Sequence, residues 1–138
     1  MDESLTVLQD TIFNKSPYGQ VVLDDQKKIH LANHTVCKMF HVSYSAVEGL
    51  DFGFAFNCCA LRQGSSCGEC NSCKSCLLYK QLSKNKSETK GRIFRYKYRD
   101  SWKVKYKWFE LSVTPFVIKN IRSLHYVMRH LLSNKIMT

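Results

Sequence analysis

The sequence predicts an α+β domain, with five antiparallel strands, short helices between the second and third, and a helix in front. Two observations lead there. Stretches with the two-residue period of strands come as two short runs early and three long ones late, with helical spacing before and between them. The 138 residues, 44% of them hydrophobic, suit a single domain with a buried core, and they show no internal repeat or linker. One domain over 1–138 is therefore expected, with a helix over 1–16 and a cysteine-rich loop and helix over 56–80. No apolar run approaches the ~20 residues that a membrane span needs, so no membrane association is expected.

Leu5, Leu8 and Ile12 recur at three- and four-residue steps behind Ser4, which can cap a helix. Pro17 ends that helix by position 16. The strand segment GQVVLD (19–24) is rich in β-branched residues, and KKIHLAN (27–33) alternates apolar with polar, with Asp24, Asp25 and Gln26 as the turn. Asn33 stands where an N-cap is needed before HTVCKMF, whose Val36, Cys37 and Phe40 face inward. SYSAVEG (43–49) reads as a short helix capped by Ser43 and stopped by Gly49. After the cysteines, 73–82 has helical spacing through Leu77, Leu78 and Leu82, and SKNKSETKG comes next as a loop. Strands over 91–99 and 102–118 are joined at Asp100 and Ser101, and a last strand covers 121–132.

The strand 102–118 changes face. Trp102, Val104, Tyr106 and Trp108 share one side, yet from Phe109 the apolar set is Phe109, Leu111 and Val113. A two-residue period allows this only through a bulge near Trp108 or through two faces covered at different points. The second is preferred, with Phe109, Leu111 and Val113 inside and the four upstream residues outside. That aromatic stripe would then need a cover, and the helix with Leu5, Leu8 and Ile12 suits it, from the same chain or from a second copy.

Six of the seven cysteines lie between Phe56 and Leu78. Cys67, Cys70, Cys73 and Cys76 succeed one another with two residues between each, and Cys58 and Cys59 stand upstream. Thiolates so spaced reach a common point, and Gly64 and Gly68 let the backbone turn sharply, so a soft metal or metal cluster can be wrapped locally. A disulfide scaffold competes. The acidic, amphipathic start MDESLTVLQD is unlike a secretory leader, which favours a cytoplasmic protein with reduced thiols. A buried, unliganded thiol accounts for Cys37 and not for six in a polar segment.

GQVVLDDQKKIHLAN, the Asn33 cap, FHVSYSAVEGLDF with Gly49 and the closing hairpin with LSVTPF resemble a PAS domain over roughly residues 5 to 130. The resemblance implies a five-stranded antiparallel sheet with small helices on one face, a sensory or dimerising role, and a cofactor between sheet and helices. Some PAS sensors carry Phe-x-Cys-x-Ala, then Cys-Gly, then Cys-x-x-Cys. Phe56, Cys58 and Ala60, then Cys67 and Gly68, then Cys73 and Cys76 match it. That implies Cys58, Cys67, Cys73 and Cys76 as ligands of a 4Fe-4S or 2Fe-2S cluster or of zinc, with Cys59 and Cys70 as substitutes. Arg62, Lys74 and Lys80 can offset the charge of either centre.

Other cofactors fit less well. Covalent haem needs His after Cys-x-x-Cys, and Lys74 and Leu77 stand there. His30, His34, His41, His125 and His130 are scattered, with none on the helix after Cys73. The flavin motif Asn-Cys-Arg-Phe-Leu-Gln is met only at Asn57, Cys58 and Gln63.

No catalytic Cys-His setting, paired acids in a glycine-rich frame or phosphate-binding loop occurs, so an enzyme is not expected. The net charge is +10, and eleven Lys/Arg lie between Lys80 and Lys107 against Glu88 and Asp100. Such a block can attract nucleic acid, but no recognition helix or RNA-binding strand motif accompanies it, so a solvated face is preferred. The reading is thus a cytoplasmic redox, oxygen or nitric oxide sensor. It would form a homodimer through the outer sheet face and N-terminal helix and signal to a partner protein. A zinc-stabilised interaction module and a basic nucleic-acid adaptor are the alternatives.

Overall fold

Residues 3–58, 88–100 and 103–131 are described by the structure, a computed structural model. Helix α1 (Glu3–Lys15) leads into strands β1 (Gly19–Leu23) and β2 (Ile29–Ala32). Helices α2 (His34–Met39), α3 (Tyr44–Val47) and α4 (Phe52–Ala55) come next, then strands β3 (Thr89–Asp100), β4 (Lys103–Ile118) and β5 (Ile121–Leu131). The five strands form one antiparallel sheet in the order β2-β1-β5-β4-β3. The expected architecture is the one observed.

Local chemistry explains most boundaries. The Asp24 carboxylate accepts from the amides of Gln26 and Lys28, closing the turn between β1 and β2. Lys119 and Asn120 both adopt positive φ (50° and 66°), the twist that a two-residue hairpin between β4 and β5 requires. Helix α1 begins at Glu3, so Ser4 lies within the first turn and not before it. At α3, Ser43 occupies the cap position without a capping bond, and its hydroxyl lies 3.3 Å from that of Ser45. Gly49 takes φ +81° just after that turn, as a helix-stopping glycine does. Helix α4 was not expected from the sequence: FGFA is too short for a period to show. Trp102, Leu132 and the helix expected over 73–82 lie outside the described residues.

The core lies between the sheet and α2–α4. Val21, Leu23, Ile29, Val36, Phe40, Val47, Phe52, Phe56, Tyr96, Phe109, Leu111, Val113, Tyr126 and Met128 are buried there. Gly19 lets β1 approach α2, because a Cβ at that position would sit 3.1 Å from that of Val36.

Strand β4 runs through Trp108 and Phe109 without a break in pairing on either side. The irregularity lies instead at the start of β3, where Gly91 (φ +62°) bulges opposite Ser112. Phe109, Leu111 and Val113 are therefore fully buried, while Val104 and Tyr106 are 45% and 48% exposed on the opposite face.

Candidate functional site

The route to Cys58 is built from the end of the helical layer. Lys28 Nζ lies 2.6 Å from Asp51 Oδ1, holding the start of α4 against the β1–β2 hairpin. Phe52 and Phe56 then insert into a ring cluster with Phe40, at centroid separations of 4.7 Å between Phe52 and Phe56 and 4.9 Å between Phe40 and Phe56. Asn57 turns the chain through a left-handed conformation (φ 56°), which asparagine tolerates better than most residues.

Three backbone attachments fix Cys58 just beyond that turn. The Cys58 amide donates to the Gly53 carbonyl at 2.9 Å, the Arg99 amide donates to the Asn57 carbonyl at 2.8 Å, and Cys58 bridges to Tyr98 as an antiparallel pair. The buried Tyr96 hydroxyl adds a bond to the Phe56 carbonyl at 3.1 Å. Cys58 is half-buried and packs on the rim of the core. It is thus delivered at the edge strand of the sheet, near the far end of β3, with its backbone held on both sides. Sequence pattern alone did not reveal these partners. The one local signal that could have pointed to a turn there is Asn57, directly before Cys58, since asparagine tolerates the left-handed conformation.

Of the expected ligands the described residues include Cys58 alone. Cys67, Cys73 and Cys76, the substitutes Cys59 and Cys70, and Arg62, Lys74 and Lys80 lie outside them. Cys58 itself suits a thiolate ligand: it sits at a surface rim, on a positioned backbone, where the cysteine-rich segment begins. Cys37 differs, being buried on α2 with its thiol pKa pushed up by desolvation. Among the described residues no three His, Cys, Asp or Glu side chains converge on a common point.

The space between the sheet and α2–α4, where the PAS resemblance implies a cofactor, is filled among the described residues by rings. Phe40 packs edge-on against Tyr96 and Tyr98 at 5.5 and 5.3 Å, and Phe109 and Phe52 close the cluster. No described histidine enters it. His30, His34 and His41 are exposed, His125 Nε2 lies 2.9 Å from Gln20 Oε1 on the outer face, and His130 is exposed beside the Phe109 ring.

The outer face of the sheet carries the other candidate surface. Arg95 and Lys97 of β3 alternate outward beside Tyr106 and Trp108 of β4. The Arg95 guanidinium lies 4.4 Å from the Tyr106 ring centre and 5.9 Å from that of Trp108, and Lys97 Nζ lies 5.9 Å from Tyr106. Lys105 and Lys107 point the other way, Lys105 bonded to Asp100 at 2.7 Å and Lys107 over the Tyr98 ring. Among the described residues the basic block is therefore divided between two faces of a hairpin and does not form one patch. Helix α1 packs chiefly against α2 and buries none of its residues, leaving Leu5, Leu8 and Ile12 at least 45% exposed.

Comparison with known proteins bears on the fold. A family model described as a PAS domain matches residues 8–71. The structure is similar to the PAS domain of an HTR-like protein from Haloarcula marismortui, at 17% identity and TM-score 0.67, covering 94% of this chain and 93% of that one. It is also similar to a PAS domain from a two-component sensor histidine kinase, at 14% identity and TM-score 0.63, covering 95% of this chain and all of that one. A LOV protein of Rhodobacter sphaeroides is similar at 14% identity and TM-score 0.61, over 95% of this chain and 70% of that one. The comparison with curated proteins gave no match. The sheet order, the helical layer over the buried aromatic face and these likenesses together show that this chain has the PAS fold, with the family model matching its residues 8–71.

Proposed function

We propose that this PAS domain is sensory and takes its input through an iron–sulfur cluster, 4Fe-4S or 2Fe-2S, held by Cys58, Cys67, Cys73 and Cys76. The observation that carries the reading is the tethering of Cys58 to the edge strand: a change at its thiolate acts directly on Tyr98 and Arg99 of β3. A cluster bound there would supply a centre reactive to electrons, oxygen or nitric oxide. The chain's own part is to hold Cys58 at a fixed place and to connect it to the sheet. Similarity to a PAS domain of a sensor histidine kinase supports a signalling role by likeness of fold.

The output surface in this reading is the outer face around Tyr106 and Trp108. Its cover is α1 of a second copy, since α1 lies against α2 in its own chain and offers an uncovered apolar stripe. The charges agree: α1 brings Glu3 and Asp10 toward a face lined by Arg95 and Lys97. The signal would pass on to a partner protein in the cytoplasm.

Absorption and metal analysis of anaerobically purified protein test the input site. Broad visible bands with iron and sulfide are expected. A colourless protein with zinc would overturn the cluster in favour of a structural staple, and a protein with neither metal would overturn both. Cys58→Ser is expected to lose most of the metal, and Cys70→Ser and Cys37→Ala to retain it. Equal loss for Cys70→Ser and Cys73→Ser would show that the ligand set is wrong.

A further inference from the structure

On the side of α2 away from the sheet, a groove of about 1110 Å³ runs between the end of α1 and α3. That is ample for a small molecule, for which sites of roughly 300–1,000 Å³ are usual. Its floor includes the buried Cys37 and the side of Tyr44, and its walls carry Lys15, His34, Lys38 and His41. Among the described residues no Asp or Glu lines it. Lys15 and Lys38 form no ion pair among the described residues. Two carboxylates act on the lining from outside it: Glu48 stands one turn from Tyr44, whose hydroxyl donates to the His30 carbonyl at 2.7 Å, and Asp100 is paired with Lys105 at 2.7 Å. Two lysines and two histidines thus surround one concavity that no acid among the described residues lines. Concentrated like charge on low-dielectric walls raises the local concentration of counter-ions and favours charge-assisted bonds to an anion.

We infer that this groove binds a small molecule bearing at least two negative charges, a phosphate ester or a di- or tricarboxylate, bridged between Lys15 of α1 and Lys38 of α2. The ligand would fasten the end of α1 to α2. The inference does not depend on the metal reading.

Amide chemical shifts of the full chain, titrated at constant ionic strength with inorganic phosphate in one arm and succinate in the other, test the inference. Saturable shifts confined to residues 34–44 and the end of α1 are expected in at least one arm, and the stronger arm identifies the anion class. Lys15→Gln combined with Lys38→Gln should weaken that binding about tenfold or more. Arg95→Gln with Lys97→Gln, on the opposite side of the sheet, should leave it unchanged. Both lysines are exposed, so the double variant should keep its fold, which its own spectrum would show. Shifts matched by chloride, or equal affinity in the double variant and the parent, would overturn the proposal.

Discussion

Asn33 shows how much one side chain can organise. It is fully buried, and its Oδ1 accepts from the amides of Val36 (3.0 Å) and Gln20 (2.9 Å). Its Nδ2 donates to the carbonyls of Phe13 and Tyr18, both at 2.9 Å. One amide group therefore caps α2, pins β1 and holds the end of α1. Asn33→Ala should cost about 3 kcal/mol, because it removes a cap and leaves buried backbone groups unpaired. Urea unfolding would measure it, and a loss under about 0.5 kcal/mol would show that water replaces the hub. The cap was legible because it depends on residues three positions away. The bonds to Gln20, Phe13 and Tyr18 were not, since local pattern carries no information about partners 13 to 20 residues distant.

At the scale of an element, β4 divides its work between two faces. Phe109 sits in the core within 5.8 Å of the Phe40 and Phe94 rings, whereas Tyr106 lies outside under Arg95. Phe109→Ala should cost about 3–5 kcal/mol. Tyr106→Ala, in dilute protein, should cost about 1 kcal/mol or less, the worth of an exposed cation–π contact. Chemical denaturation of both variants decides, and equal costs would mean that both faces are covered within one chain. The change of face at Trp108 and Phe109 was readable because a paired strand keeps a strict two-residue period. Helix α4 and the bulge at Gly91 were not, since neither makes a period.

For the whole molecule the open surface is the outer face with the stripe of α1. If α1 of one copy covers the sheet of another, Trp108→Glu should weaken association by placing a charge in an apolar contact, and removal of residues 1–15 should weaken it further. Sedimentation equilibrium reads both. Should both proteins stay as associated as the parent, this face is not the interface.

By itself the sequence determined the order of the strands, the antiparallel sheet, the inward set of β4 and the concentration of thiols after Phe56. Each of these rests on a short period, a cap, a turn or a local spacing. Only the tertiary structure decided that Cys58 is fastened to Tyr98 and Arg99, that the described part of the basic block splits between two faces, and that Lys15 and Lys38 share one groove. Those outcomes depend on which strand lies at the edge and how helices stack over a sheet. Burial of the apolar faces of the whole chain settles that arrangement at once, and no single segment encodes it.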